Sequence, residues 1–94
     1  MDYLKKFGIT EEQISKLQDR YHKQIINFMK ENEIFVTENI QYLYSENIKS
    51  IYLLMINNIQ IFLETQVALK RKIEEMKKKG LKAKEIQMKL LQER

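Results

Sequence analysis

The chain has 94 residues, no Cys, no Pro and two Gly, and carries a formal net charge of +4. That length suits a single domain. The missing thiols exclude disulfides and cysteine metal sites and suit a reducing cytoplasm; the Lys, Ile and Asn usage is that of an AT-rich genome, and the protein is expected to be bacterial. With no Pro, nothing blocks helix formation along most of the sequence. Residues 1–49 hold 7 Lys/Arg against 8 Asp/Glu, whereas residues 70–89 hold 9 against 3, so the C-terminal third is a basic segment on a near-neutral body. Such a segment suits phosphate, an acidic protein or an anionic membrane surface.

The start, Met1 to Gly8, is short and mixed in polarity and is expected to be no secretory signal. It reads as a one- or two-turn helix from an Asp2 cap to Phe7. Gly8 supplies the left-handed residue beyond its end, and Ile9 packs back on Leu4 as in a Schellman closure. Thr10 and Gln13 then form a capping box, flanked by a staple of Ile9 and Ile14, with Glu11 and Glu12 in the first turn. The second helix is predicted from Glu11 to Glu31, with Ile14, Leu17, Tyr21, Ile25 and Phe28 as its buried stripe and Ile26 and Met29 widening it. Ile34-Phe35-Val36 reads as an apolar connector that plugs the core.

Thr37 is expected to cap a third helix carrying Ile40, Leu43 and Tyr44 and ending near Asn47, a residue that tolerates the left-handed conformation. A fourth helix starts near Ser50 with Ile51, Leu54 and Met55. Asn57-Asn58 is expected to break it, and Thr65 to cap a fifth helix with Leu69, Ile73 and Met76 that stops at Gly80. The alternative is one helix over 50–79. A last helix over 82–94 places Ala83, Ile86 and Leu90 on one side. The stretch Ile51 to Leu63 is apolar on nearly every side but too short to span a bilayer. A helix apolar all round is buried, which in so small a chain suggests a homodimer.

One closing phrase recurs: Leu4 with Ile9, Met29 with Ile34, Leu43 with Ile48 and Met76 with Leu81. The stretch Leu54 to Thr65, continued by Leu69, Ile73, Met76, Gly80 and Leu81, resembles one unit of the mitochondrial transcription termination factor family. The resemblance covers residues 34–94 and implies a helical-repeat fold. Members of that family are longer arrays that bind duplex DNA along a basic concave surface. The proline of the family's Asn-Pro pair would fall at Asn58 or Ile59, where this chain has none.

His22, the only histidine, lies three residues after Asp19. That spacing permits an acid–base pair, or simply an exposed helix histidine. No carboxylate cluster has metal-ligand spacing and no glycine-rich phosphate loop exists, so the reading is no enzyme, no metal, no cofactor and no small-molecule substrate. Lys70, Arg71, Lys72, Lys77, Lys78 and Lys79, extended by Lys82 and Lys84, form the candidate nucleic-acid surface, joined by Lys89 and by the Gly80 amide where the last helix begins. The bland reading is a solvated lysine face. Tyr42, Tyr44 and Tyr52, with Ile59 and Phe62, form a candidate partner interface, or else boundary packing. The expected protein is all-α, with five or six helices packed as helix-turn-helix units in one domain spanning 1–94. It is read as a cytoplasmic module, not a membrane protein, that touches nucleic acid. The competing reading is a protein–protein adaptor or a self-assembling helical protein.

Overall fold

Eight helices and no strand occur among the described residues, 1–93, of the computed structural model. A 3-10 helix over Asp2–Phe7 is followed by α1 (Glu11–Arg20), α2 (Lys23–Glu31), α3 (Glu33–Ser45), α4 (Ile51–Asn57), α5 (Gln60–Leu63), α6 (Gln66–Lys78) and α7 (Ala83–Gln92). The all-α class stands, while the count exceeds the expected five or six. Two features raise it: the helix expected over 11–31 is split, and α5 stands apart from α4 and α6. Asp2 does not cap the first helix but lies within it. Arg94, placed in the last helix by the sequence reading, lies outside the described residues.

Three of the four closing phrases form Schellman motifs. Gly8, Asn47 and Gly80 have φ of 82°, 66° and 84°. The next residue's amide reaches back each time: Ile9 N–H donates to Leu4 O (3.4 Å), Ile48 N–H to Leu43 O (2.9 Å) and Leu81 N–H to Met76 O (3.2 Å). The second bond of the motif, from the left-handed residue to the carbonyl three positions earlier, is present in all three. The Met29/Ile34 copy fails. Asn32 stays at negative φ, α3 starts at once at Glu33, and Ile34 is 76% exposed.

That early start corrects two further expectations. Thr37 is interior to α3 rather than its cap, and Ile34-Phe35-Val36 is helix rather than connector. Helical spacing then buries Val36 while Ile34 faces outward. The split at Tyr21-His22 has a long-range cause. Both residues are extended at ψ near 150°, and the Tyr21 hydroxyl donates to Met55 O on α4, which packs against α1 (2.6 Å). His22 Nδ1 accepts from Gln24 N–H (3.3 Å) and caps α2, so Asp19 and His22 sit on either side of a break. Beyond it Ile26 and Met29 are buried, while Ile25 and Phe28 are only half-buried.

The Thr10 capping box, the break at Asn57-Asn58 and the Thr65 cap form as expected, the last with Thr65 Oγ1 accepting from Ala68 N–H (3.1 Å). α3 packs on α2, α5 and α6; α4 packs between α1 and α7; α6 packs on α7. Two buried asparagines tie the layers. Asn39 Nδ2 donates to Glu64 O (2.8 Å) and Phe62 O (3.4 Å) at the end of α5, and Asn58 Nδ2 donates to Leu90 O (2.8 Å) on α7. The apolar segment 51–63 is wrapped within its own chain: Ile51, Leu54, Met55, Ile59, Ile61 and Phe62 are all core. Within the same segment Leu53 is 45% exposed, and Tyr52, Ile56 and Leu63 are half-buried. Among the described residues no helix is long and apolar enough to cross a membrane.

Candidate nucleic-acid interface

α6 carries most of the basic run. It buries Leu69 and Ile73 against the core and turns Lys70, Arg71, Lys77 and Lys78 outward. The Gly80 closure folds α7 back onto α6, anchored by Ile86 and Leu90, so Lys78, Lys79, Lys82 and Lys84 gather around one turn. Lys78 and Lys79 close α6, where the negative end of the helix dipole favours cations.

Two of the expected phosphate ligands are otherwise engaged. Lys72 is a half-buried node, with its Nζ at 2.6 Å from Glu93 Oε1 and 3.3 Å from Glu64 Oε1. Burial opposes its charge, but the hydrogen bond that Lys72 donates to Glu93 and the Glu64 carboxylate outweigh it and hold its pKa above the ordinary lysine value. Lys72 thus tethers α6 to the end of α7. Lys77 Nζ lies 3.1 Å from Glu46 Oε2 on the neighbouring turn after α3. Lys70 and Arg71 are exposed but share their face with Glu74, Glu75 and Val67, which dilutes the field there.

The turn retains its charge. Lys78, Lys79, Lys82 and Lys84 are exposed, and none forms an ion pair among the described residues. The turn's amides are less available than the sequence implies. Gly80 N–H donates to Lys77 O (2.9 Å), and Lys82 N–H donates to Glu85 Oε1 (3.1 Å). The carboxylate of Glu85 thus occupies the position where an incoming anion would meet α7. What remains is side-chain charge: four lysines against Glu85.

Two of the five residues of the expected partner interface lie beneath the surface. Ile59 and Phe62 are 7% and 0% exposed and belong to the core, which corrects their assignment as contact residues. The tyrosines are half-buried against that core. The Tyr44 hydroxyl donates to Phe7 O (3.2 Å) and its ring stacks on Phe7 at 6.2 Å. The Tyr42 hydroxyl is buried with no hydrogen-bond partner among the described residues. Burial, followed by Glu46 and Glu74, pushes its pKa up to about 12.

Glu46, Glu64 and Glu93 are the residues that reshape this surface and that the sequence reading passed over. They act on lysines 31, 8 and 21 positions away, beyond any local spacing signal. Among the described residues no group of three or more His, Cys, Asp or Glu is placed to hold a metal ion. No protein-family model, curated protein or solved structure matches the chain.

Proposed function

We propose that this protein is a small, non-enzymatic module that binds nucleic acid through the α6–α7 turn, reading phosphate and not base sequence. The observation that carries the reading is the cluster of Lys78, Lys79, Lys82 and Lys84, exposed and free of ion pairs among the described residues. Lysines act as point charges on phosphate, whereas guanine edges are read mainly by Arg. Among the described residues Arg71 is the one arginine near the cluster, and it stands among glutamates. A reducing cytoplasm suits a chain without Cys. The stretch α4–α5–α6 supports the reading of a helical-repeat unit, because a capped helix there ends in a glycine-leucine closure.

Anisotropy of labelled duplex and single-stranded DNA tests the proposal. Wild type binds at low salt, and the combined Lys78→Ala, Lys79→Ala, Lys82→Ala and Lys84→Ala variant does not. Absence of wild-type binding at low salt removes the reading; binding that survives in the combined variant moves it to another surface.

A second reading, that of a protein-interaction module, is favoured by exposed apolar side chains: Val67 and Leu53 are two of the four large ones among the described residues, and the other two, Ile34 and Met88, 76% and 54% accessible, border hollows with a charged rim.

A further inference from the structure

Those two side chains lie on surfaces of opposite character. Ile34 opens α3 beside a hollow of about 470 Å³ between the 3-10 helix and α3, whose walls include Tyr3, Phe7 and Thr37. Glu33 and Glu38 rim it, and Glu31 borders the adjoining hollow, with Lys6 and Lys30 as the only cations lining the two among the described residues. Met88 stands midway along the outer face of α7, in a shallow stripe with Leu81 whose rim carries Lys84, Lys89 and Glu85. The corner is net acidic and the stripe net basic.

Their spacings mirror each other. Ile34 follows Glu33 by one position and precedes Glu38 by four; Met88 precedes Lys89 by one and follows Lys84 by four. Laid antiparallel with Met88 against Ile34, the two helices bring Lys84 level with Glu38 and Lys89 level with Glu33, at a common rise of about 1.5 Å per residue. A methionine is also a fitting occupant for a hollow walled by Tyr3 and Phe7. Its flexible thioether fills irregular gaps and packs well on aromatic edges.

We propose that a second copy of this chain docks the α7 face of one molecule into the Ile34 corner of the other, head to tail. The contact is heterologous, so each docked pair keeps one free surface of each kind, one on either copy, and association continues with concentration. It is small and mostly rim, which places its dissociation constant on the order of 0.1–1 mM. Lys84 borders both this surface and the lysine cluster, so bound nucleic acid and a docked copy compete.

Sedimentation equilibrium without nucleic acid, up to about 1 mM protein, tests the proposal in that affinity range. Wild type rises steadily above its monomer mass of 11.5 kDa and falls back when salt is added. Ile34→Glu keeps only the α7 face and Met88→Lys keeps only the corner. Both positions are exposed, so far-UV spectra stay helical. Each variant alone remains monomeric, and an equimolar mixture forms a dimer that grows no further. A wild type that stays monomeric overturns the proposal. So does a mixture that stays monomeric while wild type associates, because that result requires a symmetric contact or a different surface.

Discussion

Replacing Asn39 with alanine strikes the joint that holds α5 against α3. The side chain is fully buried, and its amide donates to Glu64 O at 2.8 Å, with a longer bond to Phe62 O at 3.4 Å. Truncation forfeits one good hydrogen bond, worth about 1 kcal/mol, and leaves a helix-end carbonyl short of a donor at a further cost of about 1–3 kcal/mol. The Asn39 Oδ1 atom has no partner among the described residues, so its removal returns part of that cost. The net expectation is a loss of about 2 kcal/mol, or a melting point about 8–16 °C lower for a domain of this size. Urea denaturation followed by far-UV circular dichroism measures it, with the slope checked for two-state behaviour. A loss below about 0.5 kcal/mol would refute the reasoning, since it would mean that water serves those carbonyls equally well.

Four further outcomes are expected at Tyr42, Gly80 and Glu46. Tyr42→Phe deletes a buried hydroxyl without a partner and is expected to stabilise by up to about 1 kcal/mol in urea melts. Between pH 10 and 12 the folded Tyr42 keeps a proton that the unfolded chain, at its ordinary value of 10.0, has lost; stability therefore falls as pH rises through that window, and Tyr42→Phe falls less steeply. Gly80→Ala meets no atom within 4 Å but must hold φ +84°, so it costs about 1–2 kcal/mol, and Gly80→Asn costs less. Equal melting points for Gly80→Ala and wild type would contradict the left-handed closure. Glu46→Gln releases Lys77 and removes a carboxylate, and is expected to tighten DNA binding and steepen its salt dependence by about one unit of slope.

Sequence and fold agree where the controlling interaction is local. Thr10 with Gln13, Thr65 with Ala68, and the three left-handed closures each join residues within five positions, and each forms as read. They diverge where a distant group decides. The break at Tyr21 goes with a carbonyl 34 residues away, and Asn58 is as much a bond to Leu90 as a helix stop. The period over Ile14, Leu17, Tyr21, Ile25 and Phe28 fits a straight helix equally well, so nothing nearby reveals the turn. The start of α3 was obscured differently: Thr37 has cap chemistry, but Asn32 ends α2 and α3 begins without any side-chain cap. At the candidate site the run of lysines was legible. Its division into engaged cations, Lys72 and Lys77, and unpaired ones around Gly80 depends on Glu46, Glu64 and Glu93, whose positions only the fold supplies.

The salt dependence of DNA binding tests the central claim most directly. Four lysine–phosphate contacts predict that the logarithm of the association constant falls against the logarithm of salt with a slope of about −3.6 on duplex. Each alanine substitution among Lys78, Lys79, Lys82 and Lys84 should flatten that slope by about one unit. Undetectable binding at low salt, or a slope unchanged by all four substitutions, would contradict a nucleic-acid surface at this turn.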